Sequence, residues 1–205
     1  MGLCMEESWM DKLYQVYEFV FVEDGPYSIT AFCVVAYFGI RFIVFPVIGF
    51  VAGTSLPIVA VISDSMVHGE GWEESPAMCD GTPCTQREFY AQYNISMDGF
   101  DSFRFDDGFN KGDVMLVSGE NSYEVGDVVV YQADNRPPVI HRVINVKGDT
   151  YVVKGDNNVA PIQSTGEFNL DESRIIGSAY ARLPFLGWVK IGVVNVLQGL
   201  VEVLT

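Results

Sequence analysis

Basic residues are scarce in this 205-residue chain: 12 Lys and Arg stand against 27 Asp and Glu, a formal net charge of −15 at pH 7. Nucleic acid is thereby excluded as a partner, because phosphate binding needs patches of Lys and Arg. The acidity itself reads as a solvated surface. Histidine is rarer still, with only two, His68 and His141. Cysteine is confined to Cys4, Cys33, Cys79 and Cys84. A structural zinc site is excluded in turn, since two neighbouring thiols lack the second Cys/His pair such a site needs. Cys33 falls in an apolar stretch and reads as a packing residue. Cys79-Asp-Gly-Thr-Pro-Cys84 contains two turn-forming steps that bring its sulfurs within reach, so a disulfide and two free thiols both stay open.

What the chain has in excess is apolar residues, 49% of the total against 19% charged. The surplus lies near residues 29–53 and 185–204. Residues 8–22 place Trp9, Leu13, Val16, Tyr17 and Val20 at helical spacing, which predicts a short amphipathic helix within an N-terminal segment of residues 1–27. Glu23-Asp24-Gly25-Pro26 ends it. Ile29 to Gly53 then carries one charge, Arg41, and is long enough to cross a hydrocarbon core of about 30 Å. We expect a transmembrane anchor at 28–53, kinked at Pro46, with Arg41 snorkelling or facing a partner. The large acidic part belongs on the outer side. Phe185–Leu204 places Asn195, Gln198 and Glu202 on one helical face, so 185–205 reads as a C-terminal membrane-associated helix, amphipathic or spanning.

From Leu56 the pattern changes to short β-type runs: Ile58–Ile62, Val114–Val117, Val128–Tyr131, Val139–Val146, Tyr151–Val153 and Ile175–Leu183. Gly-Asp and Lys-Gly steps separate several of them. Many short strands with frequent turns predict a mainly β domain over 54–184. Residues 67–111 interrupt the rhythm with Glu70, Glu73, Glu74, Asp80, Glu88, Asp98, Asp101, Asp106 and Asp107 against Arg87, Arg104 and Lys111. This block reads as an acidic insertion on the β scaffold. Its Asn94-Ile95-Ser96 triplet is a glycosylation sequon of a common kind.

The chemistry-bearing residues are Ser63-Asp64-Ser65-Met66 at the end of an apolar run, His141 inside another, and Asp156 in a Gly-Asp turn. A serine hydroxyl is a weak nucleophile until a neighbouring base removes its proton. A histidine supplies that base and then an acid, and a carboxylate orients it; such a set is recognised by roles and not by chain order. Taken singly these residues read blandly: a Ser-Asp-Ser run as a turn, a strand histidine as structural, Arg142 as the partner of a carboxylate, Asp113 and Asp127 as scaffold. His68 is the rival base. It enters the insertion through a Gly-rich stretch, so it is expected to be mobile and its loss to cost little.

Five blocks in one order resemble signal peptidase I of the archaeal and endoplasmic-reticulum type. They are Ser63-Asp-Ser65-Met66; Lys111-Gly112-Asp113 with Gly126-Asp127-Val-Val-Val-Tyr131; Ile140-His141-Arg142-Val143-Ile144; Lys154-Gly155-Asp156-Asn157-Asn158; and Arg174-Ile-Ile-Gly177 with Leu183-Pro184-Phe-Leu-Gly187-Trp188. The likeness runs from about Leu56 to Ile191 without the insertion. Bacterial relatives use lysine as base, and histidine in the His-Arg-Val-Ile block marks this branch. The chain departs from the family at Asp64, commonly glycine, and at Val67-His68-Gly69, where a proline is common. A second family aspartate is replaced by Ile162, so its role passes to Glu167 or Asp171, or is dispensed with.

The resemblance implies a signal-peptidase/LexA-like β fold and a membrane-anchored serine endopeptidase that removes signal peptides after small residues. Ser65, His141 and Asp156 would form the catalytic set. Ser63, Asp64 and Met66 would line the oxyanion and substrate site. The implied partners are secretory preproteins bound as extended peptides, the lipid bilayer and the secretion translocon; no metal, nucleotide or other cofactor is implied. The implied location is the cell membrane, single-pass, with the catalytic domain on the extracytoplasmic side. Two rivals stand beside it: a self-cleaving LexA-like protease, which would use a Ser–Lys pair, and an inactive membrane receptor that binds partners through its insertion.

Overall fold

A computed structural model describes residues 9–120, 122–134 and 136–187. The chain divides into two compact units, Met1–Ile48 and Gly49–Thr205. The C-terminal helix expected over 185–205 falls outside the described residues, except that 185–187 form a turn.

In the first unit, helix α1 (Trp9–Phe21) follows the predicted apolar spacing and buries Val20. Tyr17 stacks on Phe21 at 5.3 Å, and Phe21 meets the edge of Phe32 at 5.9 Å. The next helix starts with Pro26 in its first turn, where a missing N–H costs nothing. It runs as α2 (Pro26–Gly39), a π-helical turn (Ile40–Val44) and α3 (Phe45–Ala52). Together these make one helix of 27 residues, whose most apolar 18-residue window has a mean hydropathy of 2.2, long and apolar enough to cross a membrane. The irregularity expected at Pro46 is this π turn, directly N-terminal to it. Proline has no N–H to donate and its ring crowds the carbonyl four residues back, at Phe42, so the wider turn relieves both.

In the second unit, Thr54 follows the helix end and its hydroxyl donates to Ile176 O at 2.8 Å. Nine strands follow among the described residues: β1 (Ile58–Ala60), β2 (Pro76–Cys79), β3 (Thr82–Thr85), β4 (Val114–Ser118), β5 (Val128–Tyr131), β6 (Val139–Lys147), β7 (Thr150–Lys154), β8 (Leu170–Asp171) and β9 (Ile175–Leu183). Seven form one antiparallel sheet in the order β1-β4-β9-β5-β6-β7-β8. The fold is therefore mainly β, as the alternation of short apolar runs predicts. The Gly-Asp steps between strands act as turns: Asp113 Oδ2 accepts from Asn110 N at 2.9 Å, and Asp127 Oδ2 from Glu124 N at 2.8 Å.

The insertion is itself folded. Strands β2 and β3 form a hairpin across Asp80-Gly81, both at positive φ, and Cys79 and Cys84 are disulfide-bonded. Helix α4 (Gln86–Gln92) begins with a capping box between Thr85 and Glu88, and α5 (Met97–Phe100) is capped by Ser96. Trp72, Ala77, Phe89, Tyr90, Ile95 and Phe100 pack as an apolar cluster on Ile144 of β6 and Val152 of β7. A second cluster gathers Val61, Met66, Phe109, Met115 and Val130, and a third gathers Val129, Tyr131, Val143, Val153 and Leu170.

Candidate active site

β1 ends at Ala60, so Ser63 to Met66 lie in the turn beyond it and not in the extended run expected to reach Ile62. Val67 N donates to Asp64 O at 3.3 Å and closes this turn. Ser65 is half-buried, and its Oγ stands 3.1 Å from Nε2 of His141. Ser63 is exposed, with its Oγ 3.2 Å from the Ser65 Oγ, so the turn still sets both hydroxyls on one side.

His141 comes from β6, opposite Val129 of β5, and is 3% exposed. Its Nδ1 lies 3.1 Å from Glu167 Oε1. Glu167 is fully buried, and both of its carboxylate oxygens accept hydrogen bonds. Oε1 also accepts from the Tyr131 hydroxyl at 2.8 Å and the Thr165 hydroxyl at 2.9 Å, while Oε2 accepts from Ile162 N at 2.6 Å. Burial alone would raise its pKa. The hydrogen bonds from His141, Ile162 N–H and Tyr131 outweigh that and hold the carboxyl below the usual carboxylate range. Burial, together with this carboxylate, pushes the Tyr131 phenol far up, so Tyr131 stays a neutral donor. Ser65, His141 and Glu167 thus form a continuous hydrogen-bonded line: hydroxyl, imidazole, carboxylate.

Curated proteins are similar to part of this chain. The chain is 37% identical over 94 residues to the signal peptidase complex catalytic subunit SEC11 of Fusarium vanettenii, covering 40% of this chain and 55% of that protein. The corresponding subunits of Neurospora crassa and Candida tropicalis are 33% and 32% identical, over 40% of this chain in each case and 55% and 56% of those proteins. Over this stretch the chain is similar to signal peptidase complex catalytic subunits. It spans about half the length of the curated relatives it matches. No protein-family model and no solved structure matches it.

Asp156, expected from the family resemblance to orient His141, does not touch it. Its carboxylate faces the opposite side of β6, where Arg142 Nη2 donates to Oδ2 at 2.8 Å and Arg142 Nε to Oδ1 at 3.0 Å. Tyr90 OH donates to Oδ1 at 2.8 Å, and His68 Nε2 lies 3.1 Å from Oδ2. The reason is strand alternation. Neighbours His141 and Arg142 point to opposite faces, and Lys154, which pairs with Arg142 in the ladder, sets the two-residue parity that carries Asp156 to the Arg142 side. Burial opposes the charge on Asp156, but the Arg142 guanidinium and His68 overcome it and hold the carboxyl well below its ordinary range. Glu167, and not Asp156, is the carboxylate hydrogen-bonded to His141.

Met66 lines no substrate surface either. It is 1% exposed within the core, and its Sδ accepts from Asp156 N at 3.3 Å. Asp64 is exposed beside Ser65, and its carbonyl accepts from Asn157 Nδ2 at 3.1 Å. His68, expected to be mobile, stacks on Trp72 at 3.9 Å, and its side chain is only 9% exposed. Asp171, the other candidate for the second family aspartate, is exposed and accepts from Ser173 N at 2.9 Å. Among the described residues no group of His, Cys, Asp and Glu is arranged to hold a metal ion.

Proposed function

We propose that this chain is a membrane-anchored serine endopeptidase that removes signal peptides from secretory preproteins. The observation that carries the reading is the preassembled line Ser65 Oγ–His141 Nε2 at 3.1 Å and His141 Nδ1–Glu167 Oε1 at 3.1 Å, in a relative of SEC11. Ser65 Oγ attacks the scissile carbonyl carbon while His141 Nε2 takes its proton. The imidazolium, steadied by Glu167, then returns that proton to the leaving amine. Water repeats the sequence on the acyl-enzyme. The Ser63 hydroxyl, beside the nucleophile, donates to the developing oxyanion.

β1 is an edge strand of the sheet, and the chain runs from it directly into Ser65. An extended preprotein adds as a further strand there, with alternate side chains entering shallow pockets that favour small residues before the cut. The helix Pro26–Ala52 anchors the chain in a bilayer, close in sequence to Ser65. The Cys79–Cys84 disulfide favours an oxidising, extracytoplasmic side for the β domain of a single-pass protein in the cell membrane, near the secretion translocon.

Incubating the detergent-solubilised full chain with a preprotein and mapping the cut tests this reading. One cleavage after a small residue, lost in Ser65→Ala, is the expected result. An uncut preprotein, or cleavage that survives Ser65→Ala, overturns it.

A further inference from the structure

The segment Lys154–Asn158 has two sides. Its front is seated against the serine and the histidine. Asn157 N donates to Ser65 O at 2.8 Å. Gly155 lies so close that a Cβ there would stand 2.8 Å from His141 Nε2 and 2.9 Å from Ser65 O. No side chain fits between, so any displacement of this segment moves the serine against the imidazole.

Its back is held almost wholly by the insertion. Trp72 Nε1 donates to Asp156 O at 3.2 Å, Tyr90 OH to Asp156 Oδ1 at 2.8 Å, and His68 reaches Oδ2 at 3.1 Å. Gln86 bridges twice, its Oε1 accepting from Lys154 Nζ at 2.8 Å and its Nε2 donating to Asn158 O at 3.0 Å. Met78 N donates to Val159 O at 2.8 Å just beyond. Gln86, Tyr90, Lys154 and Asp156 are all 0% exposed. Among the described residues the β scaffold supplies only Arg142 to the Asp156 carboxylate.

Buried polar groups left without partners cost far more than a bond between exposed groups, so this network has one low-energy register. We infer that the 67–111 insertion is a positioning element: through His68, Trp72, Gln86 and Tyr90 it fixes the Lys154–Asn158 segment, and through Gly155 and Asn157 it sets the Ser65–His141 distance. The inference rests on the reading of Ser65 and His141 as the reacting pair. The insertion residues touch no reacting atom and act through the segment they grip.

The double variant Tyr90→Phe/Gln86→Met, made in the full chain, removes one hydroxyl and one amide while keeping volume. Three readouts are needed: kcat and KM on a preprotein, the rate at which a fluorophosphonate labels Ser65, and nitrogen NMR of the two histidines, His68 and His141. We expect kcat and the labelling rate to fall together by about tenfold, KM to stay within about twofold, and the His141 signals to shift. A lowered Tm with kcat, labelling and His141 signals unchanged well below that Tm would mean the insertion only stabilises, and overturns the inference. If the unaltered protein labels at Ser65 but cuts no preprotein, the peptidase reading fails while labelling still decides the positioning role. If it does not label, the His141 signals decide: a shift in the variant supports the role and no shift refutes it.

Discussion

His141 directs its Nδ1 to Glu167, 3.1 Å away, while Arg142, its neighbour in the chain, takes the carboxylate of Asp156 at 2.8 Å. Two buried carboxylates thus serve two adjacent residues on opposite faces of one strand. The division predicts different consequences for their loss.

Glu167→Gln keeps the shape but removes the charge that orients and steadies the imidazolium. We expect kcat to fall by at least about 10²-fold, with a smaller loss of stability from one mismatched hydrogen bond. Asp156→Asn leaves the fully buried Arg142 uncompensated, and we expect it to destabilise the fold by about 3–5 kcal/mol. Thermal unfolding and preprotein cleavage of both variants check the pair of expectations. Inactivity of Asp156→Asn with an unchanged Tm would restore Asp156 to the chemistry.

Most of the scaffold was legible because its strands are apolar runs punctuated by Gly-Asp steps. Six predicted runs correspond to β1, β4, β5, β6, β7 and β9. β8 is two residues long and carries no periodicity. The insertion was read as irregular because its pieces are brief, although Asp80-Gly81 is a hairpin signal and Thr85 with Glu88 a helix start. Ser65 and His141 stood out by their blocks. Glu167 was named only as one of two stand-ins for a missing family aspartate, since only a fold can show that a carboxylate 26 positions after His141 returns to it. Asp156 was paired with His141 by the resemblance, whereas its carboxylate is hydrogen-bonded to Arg142.

The disulfide spans five positions. Closing so short a loop stabilises by about 2 kcal/mol on chain-entropy grounds. Cys79→Ser/Cys84→Ser should therefore lower Tm by several degrees, and peptide mapping of the non-reduced protein should show the two joined. Alkylation of both thiols in freshly isolated membranes would remove the basis for placing the domain in an oxidising compartment.

Lys154 is buried with three acceptors around Nζ: Gln86 Oε1, Gly155 O and Asp156 O. Those acceptors suit an ammonium, but burial pushes the amine down from 10.5 to about 7. Between those two values the unfolded chain binds the proton more tightly than the folded one, so stability rises with pH across that window. Unfolding of the parent chain should show this upward slope from pH 7 to 9. Lys154→Met should lose it, and identical slopes in the two proteins would show that the amine stays charged in the fold.

The last expectation separates the two histidines. His141 Nε2 is within hydrogen-bond reach of Ser65 Oγ, whereas His68 Nε2 faces Asp156 and its ring lies on Trp72. General-base catalysis contributes about 10²–10⁴-fold, so His141→Ala should lose at least that much rate. His68→Ala removes only one of the contacts that grip Asp156, and its loss should stay near tenfold or below. The pH profile adds a sign. Only a neutral imidazole accepts the serine proton, so the rate falls on acidification. Glu167 is held below the ordinary carboxylate value of 4.5, and its contribution to stability is complete above that value and lost only as pH falls through the lower folded one. Loss of rate in mildly acidic buffer, with Tm unchanged, therefore reports a change at the reacting groups and not unfolding. An inactive His68→Ala beside an active His141→Ala would assign the base to the other ring and dissolve the Ser65–His141–Glu167 line as the seat of catalysis.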